Sequence, residues 1–192
     1  MKILLVAEGA SELEGALLSL VVRLGLEGHE IEQDRVSQRT IHAHHGKGKG
    51  YFKRAVRWML EADRAGYDAI ILVIDQDDQP QRSRELEQAQ DFGECQIRRA
   101  FGVAIRSFDA WILADESALT AVLECTVSRQ SDPEKHTDPN SVCRAFLEDF
   151  DSQLRPAEMY AAVAAAADLA VLETRCAKGF APFADRVREL AD

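Results

Sequence analysis

Three aspartates within four positions, Asp75, Asp77 and Asp78, close the apolar run 69–74, AIILVI. Carboxylates spaced this closely repel one another and raise each other's pKa unless a cation lies among them. Hard oxygen donors with open positions suit Mg2+ or Mn2+, which keep several waters and bind substrate phosphates. With the backbone extended, Asp75 and Asp77 project to one side, because side chains alternate along a strand, and Asp78 points away. Asp is equally at home in a solvated turn, so spacing alone leaves both readings open. A second group of acids, Glu8, Glu12 and Glu14, sits in the stretch VAEGASELEG. Glu14 reads as the closing acid of a capping box that Ser11 opens. Glu12 suits the positive end of the helix that follows. Glu8 has neither role, which marks it for chemistry.

The elements that must position these acids alternate. Residues 2–7 read as a strand, and the unbroken apolar run 69–74 as a fully buried one. Residues 30–36 form a weaker, polar strand near a sheet edge, and 99–106 a fourth strand. Between them lies a helix at 11–23, with Leu13, Leu17, Leu20, Val21 and Leu24 on one face. A second helix spans 51–65, with Phe52, Val56, Met59 and Leu60 inward and Lys53, Arg57 and Arg64 on another face. A polar helix follows near 81–91. Strands alternating with helices imply an α/β fold with a mostly parallel sheet and right-handed crossovers. Ligands of such sheets sit at the carboxyl ends of the strands, where Glu8 and Asp75 both emerge. Beyond residue 106 the segment SFDAWILADESALTAVL is helical, SRQSDPEKHTDPNS is a polar loop, and the remainder is helical. Trp111 is expected to anchor its helix in the core, with Phe180 and Phe183 as apolar anchors of the last helix. The expected division is an α/β core at 1–117 and a helical C-terminal extension, 118–192, packed on it.

A chain of 192 residues can bury a substantial core. Its formal charge of −10 speaks against a general nucleic-acid binder, because phosphate neutralisation supplies much of that affinity. The distribution is uneven, however. Arg39, Lys47, Lys49, Lys53, Arg54, Arg57 and Arg64 face only Glu61 and Asp63, a local net of +5. The stretch HAHHGKGKG inside this segment holds His42, His44 and His45, whose spacing matches no usual metal set. Its alternating glycines suit a phosphate-facing loop carrying Lys47 and Lys49, or a plain surface loop. It lacks the spacing of a P-loop. Cys95, Cys125, Cys143 and Cys176 form no CxxC pair, as expected of reduced thiols in a cytoplasmic protein. No run reaches membrane-spanning length, and MKILLVAEG turns acidic too soon for a signal peptide.

A strand ending in Glu-Gly-x-Ser/Thr-Glu, followed later by an apolar strand ending in Asp-x-Asp, resembles a TOPRIM domain, the catalytic module of topoisomerases, primases and OLD-type nucleases. More closely, the chain resembles a bacterial TOPRIM-like group, domain-of-unknown-function family 4276, over nearly its whole length. The matching pieces are EGASE, HHGKGKG, AIILVIDQDD, AIRSFDAWILAD, DPEK and RCAKGFAPF. The family pattern usually has Glu two residues before the Trp, where this chain has Asp109. Asp115 also recurs in the pattern.

The resemblance implies a TOPRIM-like, Rossmann-like core and a metal-dependent nuclease activity. It assigns Glu8, Asp75 and Asp77 to the metal, Mg2+ or Mn2+, with Glu8 also in acid/base work. Glu12 is the motif's second Glu, and Asp109 a candidate for a second metal position. Lys47, Lys49, Lys53 and Arg57 are the expected phosphate contacts. Nucleic acid is the implied partner, DNA ahead of RNA, and no membrane is expected. An ABC- or AAA-type ATPase subunit in defence against phage or foreign DNA is a further implied partner, as is a second copy of the chain. Two rival readings stand. A haloacid-dehalogenase-like phosphatase also carries Asp-x-Asp after an apolar strand, its first Asp acting as nucleophile, though usually on the first strand. A non-catalytic binding subunit would keep the fold alone.

Overall fold

The computed structural model describes residues 1–36, 50–149 and 153–192. Its centre is a sheet of β1 (Lys2–Ala7), β2 (Glu30–Arg35), β3 (Ala69–Asp75) and β4 (Arg98–Ala104). The strand order is β2-β1-β3-β4 and every neighbouring pair is parallel, as the alternating sequence led us to expect. Strand β4 stops at Ala104, short of the expected 106, where the chain turns through Arg106 at φ 67°.

Side-chain alternation divides the core into two clusters. Ile3, Leu5, Ala7, Ile71 and Val73 enter one with the helical segment 12–26 and the C-terminal helices. Leu4, Val6, Ile70, Leu72 and Ile74 enter the other with α2 (Tyr51–Arg64) and α3 (Gln81–Gln90). Both central strands are thus buried on both faces, which explains their unbroken apolar runs. Residues on either side of position 117 share the first cluster, so the C-terminal helices form one of the two layers that cover the sheet.

The expected helix at 11–23 is irregular. A single α-helical stretch, α1 (Leu17–Val21), lies between the wide π-helical turns Glu12–Ala16 and Val22–Leu26. Gly15 breaks the first turn at φ 123°, where a Cβ would sit 3.2 Å from that of Ala161 in α7 (Pro156–Ala166). Only glycine relieves both constraints at once. In α2 the inward residues are Tyr51, Ala55, Trp58, Met59 and Ala62. Phe52 and Val56 are half-buried and Leu60 is exposed, a rotation of the expected face, since amphipathic Tyr51 and Trp58 also go inward.

The helix expected after residue 106 breaks into α4 (Asp109–Ile112) and α5 (Glu116–Leu123). Asp115 caps α5, accepting the N–H groups of Ser117 and Ala118 at 2.9 and 3.1 Å. Its other oxygen accepts the Asp168 N–H at 2.9 Å, so it also ties down the chain before α8 (Leu169–Arg175). Between α5 and α7 lie the short turn Pro133–Lys135 and α6 (Pro139–Asp149). Glu134 in that turn accepts the N–H groups of Lys178 and Gly179, at 3.2 and 2.7 Å, ahead of α9 (Phe180–Ala191). Trp111 packs against Phe108, Phe180 and Phe183, with ring centroids 5.1–5.4 Å apart. It is a core anchor, as its sequence context suggested.

All four cysteines are unpaired. Among the described residues no helix is long and apolar enough to cross a membrane. Gly102 lets α9 seat on β4, because a Cβ there would lie 2.7 Å from the Phe183 ring. Gly102→Ala should therefore lower stability by about 1–3 kcal/mol through overpacking, read as an earlier urea midpoint.

Candidate functional site

Strand β1 is followed by β2 on one side and has β3 on the other, so the sheet reverses its winding direction between β1 and β3. Their carboxyl ends open where parallel α/β sheets place ligands. Glu8 follows β1 directly and Asp75 ends β3. Strand alternation carries Asp75 to the side of Ile71 and Val73, and Glu8 to the side of Leu4 and Val6.

On its side Glu8 is held by α2 and α3. The Tyr51 hydroxyl donates to Oε1, and the Asp75 N–H donates to Oε2 at 2.9 Å. Burial first, then the Glu8 carboxylate, pushes the Tyr51 phenol well above its ordinary range, so it donates rather than ionises. Arg82 approaches Glu8 Oε2 at 3.7 Å. The same guanidinium donates to the Asp75 carbonyl at 2.8 Å and to Asp77 Oδ2 at 2.5 Å, and it lies over the Tyr51 ring.

On the other side three acids gather beneath the C-terminal helices. Asp75 Oδ1 accepts the Phe108 N–H at 2.8 Å. Asp109 is buried and accepts from the Ser107 hydroxyl at 2.8 Å, from Asn140 Nδ2 at 3.1 Å and from the Tyr160 hydroxyl. Glu12 is buried and accepts the Gly9 N–H at 3.1 Å. The expected capping box does not form: Ser11 makes no side-chain cap, and Glu14 is exposed, 3.9 Å from Arg155. Glu12 reaches back instead, because the break at Gly15 takes Glu14 out of helical register.

Burial and mutual repulsion set the protonation of Asp75 and Glu12. Burial first, then the charge on Glu12, raises the Asp75 carboxyl to about 8, against the Phe108 hydrogen bond. Burial first raises Glu12 to about 7; Glu8 and Asp109 add to this, and the Gly9 hydrogen bond opposes it. Among the described residues no ion pair reaches Glu12, Asp75 or Asp109.

Asp77 does not join Asp75. Its left-handed backbone, φ 50°, ends the extended geometry at the strand's edge and turns its carboxylate to Arg82. Asp78 is 91% exposed and pairs with Arg106. A cleft of about 290 Å3 opens on Asp75, Asp77, Asp78, Arg106, Asp109 and Asn140. A second, of about 220 Å3, borders Tyr51, Arg54, Arg82 and Glu85. Lys53 and Arg57 are on the exposed face of α2. Lys47, Lys49, His42, His44 and His45 lie outside the described residues.

The donor chemistry suits a hard divalent cation: carboxylate oxygens at a sheet edge, of which Asp75 and Glu12 hold protons near neutrality through burial first and neighbouring acids after. Among the described residues, no three His, Cys, Asp or Glu side chains are already arranged to hold such an ion. Tyr51, Arg82, Asn140 and Tyr160 carry no mark in the sequence. Tyr160 lies 51 positions from the Asp109 it bonds, inside an alanine-rich helix. The chain matches no protein-family model, no curated protein and no solved structure.

The raised carboxyl values fix a sign. Between about pH 4 and pH 8 the folded chain holds protons at Asp75 and Glu12 that the unfolded chain has released. Stability therefore falls as pH rises through that window. Asp75→Asn keeps an oxygen for the Phe108 N–H. In chelator-treated buffer at pH 8 it should raise stability by roughly 2 kcal/mol, with little change at pH 4, measured by thermal melts across pH.

Proposed function

We propose that this chain is a divalent-metal-dependent phosphodiester hydrolase, a nuclease of TOPRIM-like type. One observation carries the reading: Asp75, Glu12 and Asp109 gather at the switch point of a parallel sheet without an ion pair among the described residues, and two of them stay protonated near neutrality. A cleft so rich in carboxylates repels a phosphodiester until a cation enters it. Asp75, Glu12 and Asp109, with Glu8 adjoining, would hold Mg2+ or Mn2+. Such an ion would neutralise the scissile phosphate and acidify a bound water.

The chain's own groups do the rest. Asp109 is oriented by Ser107, Asn140 and Tyr160, so the C-terminal helices set its carboxylate against the sheet edge. Glu8 is held in place by the Tyr51 hydroxyl and the Asp75 N–H, both donating, and in this reading it is the proton acceptor. Asp77, assigned to the metal by the TOPRIM resemblance, acts here by holding Arg82 beside Glu8. The phosphatase alternative needs Asp75 and Asp77 to address one phosphate, and they face different partners. DNA ahead of RNA, and an ATPase partner, rest on the sequence resemblance alone.

Cleavage of oligonucleotides with Mn2+, alongside calorimetric Mn2+ titration, tests this. Asp75→Asn should abolish Mn2+ binding with the fold intact. Glu8→Gln should cut the rate by about two to four orders of magnitude while affecting Mn2+ affinity far less. Wild-type cleavage by Glu8→Gln would defeat the assignment, and a covalent aspartyl phosphate would transfer the chain to the phosphatases.

A further inference from the structure

The cleft beside Asp75 contains five aspartates, Asp75, Asp77, Asp78, Asp109 and Asp138. Among its described lining residues Arg106 is the single cationic side chain. Its backbone is unusual, since φ is 67°, a left-handed conformation that a long side chain rarely adopts. Asp77 is left-handed too, and the two are pinned together, the Asp77 N–H donating to the Arg106 carbonyl at 2.8 Å. Glycine would relax the turn at Arg106, yet the chain keeps a guanidinium there. Backbone outliers of this kind gather at functional sites.

The partner of Arg106 is weakly committed. Asp78 is 91% exposed, and an ion pair in such contact with water contributes little. Arg82 is the contrast: its side chain is 12% exposed and bound to Asp77 and the Asp75 carbonyl. Ser107, next to Arg106, gives its hydroxyl to Asp109, so the turn bearing the guanidinium is coupled to the buried acids.

We infer that Arg106 is the phosphate-binding residue of this cleft, exchanging Asp78 for the non-bridging oxygens of a phosphodiester held against Asp75 and Asp109. A planar fork of donors matches two such oxygens, which lysine cannot do. The inference rests on the hydrolase reading and names the residue that recognises its substrate.

The test uses the full chain with Mn2+ and a fluorescein-labelled oligonucleotide. Arg106→Gly should raise KM about 10- to 100-fold, the loss expected for one charge-assisted hydrogen-bonding group. Its Tm should be unchanged or higher, because glycine accepts the turn, and its Mn2+ affinity should be retained. Added guanidinium ion should recover part of the lost KM in Arg106→Gly, which a merely structural role for Arg106 could not produce. Arg106→Lys should be intermediate, and it stands in should the glycine variant fail to fold. Wild-type KM in Arg106→Gly, or in Arg106→Lys if that alone folds, with a wild-type protein that cleaves, overturns the role of Arg106 and leaves the hydrolase reading intact. A wild-type chain that neither binds Mn2+ nor cleaves overturns both.

Discussion

Strands β1 and β3 are covered on both faces, so neither carries a charged side chain except at its ends. That constraint places the first acids of both strands, Glu8 and Asp75, at one edge. It also places them on opposite faces, since the period of the strand does not change at its last residue. The backbone N–H of Asp75 bridges them by donating to Glu8 at 2.9 Å. Each layer of helices then supplies what its own acid requires: Tyr51 and Arg82 for Glu8, and the Phe108 N–H for Asp75.

The two sides are electrostatically unlike. Glu8 lies beside Arg82 and accepts from the Tyr51 hydroxyl and the Asp75 N–H. Across the strand, half-buried Asp75 and buried Glu12 lie among carboxyls, and burial together with that like charge keeps them protonated near neutrality. A polar group without water costs free energy unless it is hydrogen-bonded, and Asp109 meets that demand with three donors, one of them from the turn before α4. The other two, Asn140 and Tyr160, come from helices α6 and α7. The C-terminal helices therefore cover the sheet and also complete the acidic side of the site.

The strand ends at Asp75 because the next residues are pinned elsewhere. Gln76 donates to the Ala104 carbonyl, and Asp77 donates to that of Arg106. The two left-handed turns hold the ends of β3 and β4 together and point Asp77 and Asp78 to different arginines. Three aspartates that look alike in sequence thus have three environments: one half-buried and bonded to the Phe108 N–H, one latched to Arg82, one in water.

By its own pattern the sequence determined the four parallel strands, the edge at which Glu8 and Asp75 emerge, and the core role of Trp111. Those features follow from apolar runs and strand periodicity, which depend on neighbours in the chain. The inward face of α2 was less legible, since Tyr51 and Trp58 are amphipathic and pack inward only because the sheet lies beneath them. The capping role of Glu14 failed for a similar reason: Gly15 breaks the helix to let α7 approach. Which acids meet was decided by tertiary structure alone. Asp77 left the group when one backbone angle turned positive, and Asp109 joined it through Tyr160, 51 residues away. Local spacing records where a side chain leaves the backbone, but the burial and partners that give a carboxylate its charge come from elements distant in the chain.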